Sequence, residues 1–459
     1  MRTPAVGRSA AENGPGWLEF EENSVVFGFG KKRGPEPPDD DDEELELVLF
    51  QGALSGAETD LASNARLVQA GLVRAKELVS DALSRRAEML RLEPKGKASI
   101  ATFFVDGVPY PGTRMPSQAG LAVTQMLKLL AGLDIQVRDK PQKGGIKAEY
   151  EERPFVLRLN TFPVQGGGER LIVRAEEPDK RLQTPDDLGF SNDLRHKIRE
   201  LAARKQGVLL GAGGPMSGVT TLTFAMVRSI DAYLYQIYCI TDVEGRDLGN
   251  VSVFKTNEED TLAQTFGRAE RAEGDVLYID PILDAETCKT VLQEAEEICF
   301  VAETRAPDAA NAIVQFCKWT GNPKLVSEQV SGVASQKLIR LLCRRCRKAY
   351  RPNPKLLAKV GLPPETKVLY RPPQAEDIED DEDVCSRCGG VGYFGRTGMI
   401  EFIEMTEDMR QVVAGGAAAD AIKAQARTEK MQSFQSDGLR LVAEGKTSLE
   451  ELQRAFRGK

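Results

Sequence analysis

The sequence predicts an α/β fold with several domains, and three observations lead to it. Short apolar runs, GVLLGAG (207–213), LYQIYCITD (234–242), GDVLYIDP (274–281) and ICFVAET (298–304), recur with polar or helical stretches between them. The first run ends in a glycine-rich loop, GGPMSGVT (213–220), and a helix-patterned segment, TTLTFAMVRSI (220–230), follows at once. Two Cys-x-x-Cys pairs stand further on, at Cys343 and Cys346 and at Cys385 and Cys388. Strand-like and helix-like runs alternating at this spacing imply parallel strands joined by crossover helices. With 459 residues the chain has room for roughly three domains and a sizeable core.

Taken in order, residues 1–60 are expected to be a linker or interaction tail, because GKKRGPEPPDDDDEE joins a basic cluster, prolines and the acidic run Asp39 to Glu44. A short apolar piece, LELVLF (45–50), is able to dock elsewhere. Residues 61–180 are expected to form a small α+β domain. Its first part (61–90) is helical by the recurrence of Leu67, Ala70, Val73, Leu78 and Leu83. Strand-like segments follow at 99–110, 147–163 and 169–177, with a helix at 120–133, and Gly166-Gly167-Gly168 is a turn because no helix follows it. Residues 181–335 form the α/β core, 336–400 the cysteine-bearing subdomain, and 401–459 a helical C-terminal region.

Composition removes several classes of function. A net charge of −8 argues against nucleic-acid binding through an overall positive field. No apolar run approaches the roughly 18–20 residues that span a bilayer, and the N-terminus lacks the apolar stretch of a secretory signal. Eight cysteines that include two Cys-x-x-Cys pairs point to metal binding rather than disulfides, and so to the cytoplasm. The single histidine, His196, lies in the polar helical segment LRHKIRELAARKQ and is expected on the surface, which leaves no histidine-based metal centre or triad.

The glycine loop carries the sharpest chemical question. A phosphate loop follows G-x-x-x-x-G-K-[ST]: glycines let backbone N–H groups curl around phosphate oxygens, the lysine reaches the β- and γ-phosphates, and the hydroxyl holds Mg²⁺. Here Gly213, Gly218 and Thr220 fit, and Val219 stands where the lysine belongs. The expected nucleotide cradle is Gly213, Gly214, Ser217, Gly218, Val219, Thr220 and Thr221. Ligands of such sheets sit at the C-terminal strand ends, where Gly213, Asp242, Asp280 and Thr304 fall. The four cysteines match a closed tetrahedral zinc site, a structural staple. A nucleic-acid-reading ribbon helped by RLLCRRCRK (340–348) is the rival reading. Cys239, Cys288, Cys299 and Cys317 lie in apolar runs and are expected in the core.

The order of motifs resembles the type II secretion and type IV pilus assembly ATPases over about residues 65–455. LAGLDIQVRDKPQKGGIK (130–147) and VLRLNTFPVQGGGERLIVR (156–174) look like that family's approach to the core and its arginine-bearing strands. SGVASQKLIRLLCRRC (331–346) and YFGRTGMIEFIEMTEDMRQVV (393–413) look like the entry to and exit from its zinc subdomain. The resemblance implies a RecA-like phosphate-loop core, ATP with Mg²⁺, structural Zn²⁺, a hexameric ring or a mixed ring with a paralogue, and work beside a secretion or pilus machine at the inner membrane.

Departures from the family pattern gather at the expected active site. The family's Gly-Glu after its second acidic strand becomes Asp280-Pro281, and Arg305 takes the histidine position of the motif after the next strand, with Asp308 kept. No catalytic residue is assigned; Asp280, Asp242 and Glu244 are candidates, and Asp280 is suited to holding Mg²⁺ through water. Among the arginines that reach nucleotide across a domain boundary in the family, Arg138, Arg158 and Arg174 remain, while Asp139, Thr102 and Phe104 replace others. The expectation is a degenerate member with weak or no ATP hydrolysis and a scaffolding or regulatory role. The alternative is an active motor with a relocated cation, drawn from Lys205, Arg246 or Arg305.

Overall fold

The computed structural model describes residues 46–165, 167–178, 185, 188–241, 248–249, 251–257, 259–377 and 384–457. The acidic run at 39–44, Gly166, Asp242, Glu244 and Arg246 lie outside the described residues.

The first unit is an antiparallel sheet with two helices on one face. Its elements are β1 (Leu49–Ala53), α1 (Ala65–Ser84), β2 (Met89–Lys95), β3 (Ala98–Val105), β4 (Val108–Pro116), α2 (Ser117–Leu130), β5 (Gln142–Tyr150), β6 (Arg153–Pro163) and β7 (Glu169–Glu176), in the spatial order β1-β5-β6-β7-β2-β3-β4. Of the apolar piece at 45–50, expected in a linker, the described residues 46–48 lead into β1 and 49–50 begin it, and β1 pairs with β5 at the sheet edge. The helix expected over 61–90 is shorter. Arg86 takes a left-handed φ of 60°, its N–H bonds Leu83 O and that of Ala87 bonds Ala82 O, and the chain turns into β2. Val73 is 57% exposed rather than on the buried stripe, which runs Gly71, Ala75, Leu78, Ala82. Gly71 is required there, because a Cβ would come within 2.6 Å of Ala122 O where α1 meets α2. Two runs read as single strands are hairpins. Asp106 and Gly107 (φ 51° and 78°) turn β3 into β4, and Glu151 and Glu152 (φ 49° and 57°) turn β5 into β6.

The second unit is the α/β core. It contains α3 (Asn192–Ala202), β8 (Gly207–Ala212), α4 (Val219–Ser229), β9 (Ile237–Cys239), β10 (Ser252–Val253), α5 (Leu262–Arg271), β11 (Val276–Tyr278), α6 (Ala285–Glu294), β12 (Cys299–Thr304), α7 (Ala309–Thr320), α8 (Pro323–Gln329) and β13 (Val330–Leu342). An excursion follows with β14 (Lys348–Tyr350), α9 (Pro354–Val360) and β15 (Leu369–Arg371). The chain returns as β16 (Tyr393–Glu404) and ends in α10 (Glu407–Ala414), α11 (Ala419–Thr428), α12 (Phe434–Ala443) and α13 (Leu449–Phe456). The sheet order is β10-β9-β11-β12-β8-β13-β16, parallel except for β16. Side chains alternate across it. Val208, Leu210 and Ala212 join a core under α5 to α8, α10 and α11, while Leu209, Val301 and Tyr278 join another with α3 and α4.

Strands β13 and β16 thus belong to the main sheet, and the cysteines sit on the excursion between them (343–392). The two units touch where β16 begins. Gly395 N donates to Asp106 Oδ1 at 3.0 Å, the Arg86 guanidinium lies 4.2 Å from the Phe394 ring centroid, and Arg396 pairs with Glu88 at 3.5 Å.

Candidate functional site

Strand β8 is buried along its whole length and delivers the glycine loop at the C-terminal edge of the sheet. Gly213 N donates to Thr304 O of β12 at 3.2 Å, and Ser217 N closes a turn onto Gly214 O at 3.2 Å. Met216 (φ 62°) and Gly218 (φ 77°) take left-handed conformations, so the chain winds into a nest before α4 starts at Val219. The N–H groups of Gly214, Met216 and Gly218 take no hydrogen bond among the described residues, and Ser217 Oγ is buried there without a partner. Thr221 follows in the first turn of α4, whose leading amides are free of the helix ladder. Backbone N–H groups without a hydrogen bond among the described residues thus gather in the loop.

Two residues that the sequence reading passed over shape this loop. Gln336 of β13 is 3% exposed, and its Nε2 donates to Ser217 O at 2.9 Å and Gly218 O at 3.3 Å. Glu303 of β12 accepts a hydrogen bond from Thr220 Oγ1 at 3.2 Å. Its register partner on β8 is Gly211, beneath the first turn of α4. The signal for Glu303 was a charged residue inside the apolar run ICFVAET, and for Gln336 a lone amide in a buried strand.

Val219 lies half-buried at the loop mouth, where its Cβ would be 2.9 Å from a Cβ on Gly213. Asp280 is exposed just past β11 and accepts a hydrogen bond from Thr241. Pro281 has no N–H, and the next bond to β12 comes from Ile282 N to Glu303 O at 2.8 Å. Asp308 does not face the loop. It caps α7 through Asn311 N (2.9 Å) and pairs with Lys423 (2.8 Å). Its burial opposes ionisation, yet the Lys423 hydrogen bond and the Asn311 amide hold its carboxyl below the ordinary value.

Of the substitute cations, Lys205 is excluded by position. It precedes β8 at the opposite edge of the sheet, about 17 Å away along a six-residue strand, and pairs with Asp275 at 2.8 Å. Arg305 is exposed, one residue past Thr304, and its side chain makes no hydrogen bond or ion pair among the described residues.

The three arginines lie on the small unit. Arg158 and Arg174 face each other across β6 and β7 on the face away from the helices, and Arg158 pairs with Glu176 at 3.2 Å. Arg138 is exposed on the loop between α2 and β5. A fully buried Lys128 braces that loop, donating to Val137 O at 2.6 Å and Glu169 at 2.8 Å. His196 is exposed on α3.

The four cysteines converge. All four Sγ atoms lie within 4.8 Å of one another, with Cys343 to Cys385 at 3.9 Å and Cys346 to Cys388 at 3.6 Å. Sulfurs about 2.3 Å from a tetrahedral ion would stand ~3.8 Å apart, so the set fits one closed four-thiolate centre. Gly389, Gly390 and Gly392, all left-handed, bend the second knuckle so that Gly392 N donates to Cys388 Sγ at 3.3 Å. Of the other cysteines, Cys239, Cys288 and Cys299 are buried as expected, whereas Cys317 is only partly buried against the core; burial pushes the thiols of Cys288 and Cys299 up to about 12 and that of Cys317 up to about 11.

This arrangement defines an α/β protein with a phosphate-loop nest and a tetracysteine excursion. A family model described as type II/IV secretion system protein matches residues 67–454, and the chain belongs to that family. Relatives include the type IV pilus assembly ATPase PilB of Thermus thermophilus, 27% identical over 89% of this chain and 46% of that protein. The type II secretion system protein HxcR of Pseudomonas aeruginosa is 27% identical over 83% of this chain and 76% of its own length. The chain thus spans less than half of the Thermus relative. Among solved structures, the ATPase DotB of Yersinia pseudotuberculosis aligns with a TM-score of 0.53 at 13% identity, over 90% of this chain and 99% of that one. DotB of Legionella pneumophila gives 0.51 at 14%, over 85% and 96%. These likenesses bear on the fold alone. No helix among the described residues is long and apolar enough to cross a membrane.

Proposed function

We propose that the chain is a degenerate member of its family, with weak or no ATP hydrolysis, that acts as a scaffold or regulator of a secretion or pilus machine. The observation that carries this reading is the loop itself: its backbone nest is whole, but Val219 holds the lysine position and the Thr220 hydroxyl is bonded to Glu303. Phosphoryl transfer depends on oriented charge, and each missing group typically costs about 10²–10³ in rate. With Pro281 and Arg305 at the glutamate and histidine positions, three such groups are replaced.

The backbone nest fits the phosphates of a nucleotide, whereas the residues around it do not fit the transfer step. The four cysteines hold a structural zinc ion in this reading. The protein works in the cytoplasm, peripheral to the inner membrane, in a hexamer or a ring shared with a paralogue. That assembly is drawn from the family rather than from contacts in this chain. A second reading, an active motor with a relocated cation, draws on Arg305, which makes no hydrogen bond or ion pair among the described residues and stands at the loop's edge of the sheet.

The test is Mg²⁺-ATP binding and phosphate release on the purified chain, with Val219→Lys and Arg305→Ala alongside. The expected result is turnover at least about a thousandfold below that of a relative with an intact loop. Turnover by the unmodified protein that Thr220→Ala abolishes would sink the scaffold reading, and loss on Arg305→Ala would identify the substitute cation.

A further inference from the structure

We infer that the tetracysteine excursion clamps the small unit to the core, and that Phe394 is the residue the two share. This rests on the reading of the four cysteines as a metal centre. The contacts between the units named above fall on three consecutive residues, Phe394, Gly395 and Arg396, which open β16 directly after the second knuckle. The knuckles hold that stretch from one side. Gly392 N donates to Cys388 Sγ at 3.3 Å, and Gly392 O accepts from Cys343 N at 2.9 Å, so this residue is tied to both knuckles. It is also confined by packing, since a Cβ on Gly392 would come within 2.5 Å of Pro372. Arg345 of the first knuckle donates to Ser386 Oγ of the second at 3.0 Å. Arg387, between Cys385 and Cys388, places its guanidinium 4.6 Å from the Phe394 ring centroid.

The small unit receives the same stretch from the other side. Arg86, at the left-handed end of α1, lies 4.2 Å from the Phe394 ring centroid and pairs with Asp106 at 3.9 Å. Asp106 accepts from Gly395 N. Glu88 accepts from Asp106 N at 2.9 Å and Gly107 N at 2.6 Å, and pairs with Arg396. The end of α1 and the turn between β3 and β4 thus form one receptor for residues 394–396. Cation–π contacts and ion pairs at half-exposed positions are individually weak. They hold together only while the strand is presented in one fixed geometry, and the knuckles supply that geometry. Cysteine ligands must arrive deprotonated, and their binding free energy is spent on holding the chain that carries them. With the centre empty, Gly392 and Arg387 are no longer fixed, and the small unit loosens on the core while its own sheet and helices stay folded. The unit so held carries Arg138, Arg158 and Arg174.

The experiment is hydrogen exchange on the full chain, with zinc content measured by elemental mass spectrometry, for the unmodified protein before and after chelation and for Phe394→Ala and Arg387→Ala. Chelation is expected to accelerate exchange at 86–88 and 105–108 about tenfold while the amides of β6 and β7 keep their rates. Phe394→Ala, with zinc retained, should accelerate the same two segments about tenfold and Arg387→Ala about threefold. Chelating Phe394→Ala should add less than about twofold, because the shared residue is already gone. Two results overturn the inference: a zinc-bearing protein in which neither chelation nor Arg387→Ala moves these amides, or an effect of chelation that is undiminished in Phe394→Ala. If chelation speeds exchange throughout the chain, or Phe394→Ala does not fold, Arg387→Ala decides: acceleration confined to the two segments supports the clamp, and none removes it. Zinc content separates the two readings. A protein without zinc removes the metal centre and the clamp together, whereas bound zinc with unmoved amides removes the clamp alone.

Discussion

The tetracysteine excursion and the glycine loop begin alike and end differently. Each is announced by a short motif, and each is bent into shape by left-handed glycines, Gly389, Gly390 and Gly392 in one and Gly218 in the other. In the excursion every ligand arrives: four sulfurs lie within 4.8 Å, at separations suited to one ion. In the loop the backbone turns as such a loop does, and Val219 stands at the lysine position. A metal knuckle carries its donors within the motif, so the motif testifies to the site. A phosphate site collects its charges from several strands, so a preserved loop says little about what surrounds it. Here Glu303, from a neighbouring strand, accepts the hydrogen bond of the Thr220 hydroxyl.

The largest effect that bears on this comparison is expected in the excursion. Cys388 is fully buried and anchors the second knuckle. Cys388→Ser should abolish stoichiometric zinc, read by elemental mass spectrometry, and lower Tm by at least about 5 °C, because structural zinc contributes folding free energy directly. Exhaustive chelation of the unmodified protein should reproduce the loss. An unmodified protein that carries no zinc, with Tm indifferent to the substitution, would put the excursion in the same class as the loop, as a shape without its ligand.

A smaller effect concerns the strut between the two regions. Strand β13 runs from Gln336 beneath the loop, through Arg340, to Cys343 at the knuckle. Arg340 is held by Glu451 of α13, which accepts from its backbone N–H (3.1 Å), Nε (3.0 Å) and Nη2 (2.7 Å) and also from Arg454 at 2.6 Å. The Arg340 guanidinium lies 4.1 Å from the Tyr393 ring centroid. Burial opposes ionisation of Glu451, but Arg454 and Arg340 hold its carboxyl below the ordinary glutamate value. Its folded pKa is thus depressed. The stabilisation is complete above the unfolded value, about 4.3, and is lost as pH falls through the lower folded one. Glu451→Gln should cost about 3–5 kcal/mol near neutrality, since it leaves a buried arginine without its counter-ion. Denaturant titrations at pH 7 and pH 3 should show the gap from the unmodified protein shrinking in acid. A gap that does not change with pH would mean that packing of α13, not charge, secures the strut.

What was legible in the sequence follows the same division. The parallel strands of the core were readable because each is an unbroken apolar run, and the knuckles because their donors are adjacent in the chain. The small unit's hairpins were less so. Asp106-Gly107 and Glu151-Glu152 turn within two residues, and neither interrupts the apolar alternation enough to mark a boundary. The end of α1 was missed because Arg86, not glycine, adopts the left-handed turn. Glu303 and Gln336 stood out only as polar residues in apolar runs, and nothing tied them to the loop, because each acts on it from more than 80 positions away. Only the register of β12 and β13 against β8 brings them there. Lys205, close to the loop in sequence, is at the far edge of the sheet for the same reason: a strand separates them.

The smallest expected effect is at Gln336, and it tests what holds the loop in shape without a lysine. Its Nε2 donates to the carbonyls of Ser217 and Gly218, and a Cβ on Gly218 would come within 2.8 Å of that nitrogen, so side chain and loop are in close contact. Gln336→Ala would leave two carbonyls without their donor, at a cost of about 1–2 kcal/mol. That cost is small against the whole fold and should lower Tm by only a few degrees. Locally it should be large. Hydrogen exchange at the amides of 214–219 should accelerate about tenfold, with the knuckles and α13 unaffected. The same acceleration throughout β13 would show the strand, not the amide contact, to be the support. No acceleration would show that the left-handed turns at Met216 and Gly218 fix the loop by themselves. In the expected case the nest is kept in form by a neutral amide from the next strand, so its shape depends on neither the missing lysine nor a bound phosphate.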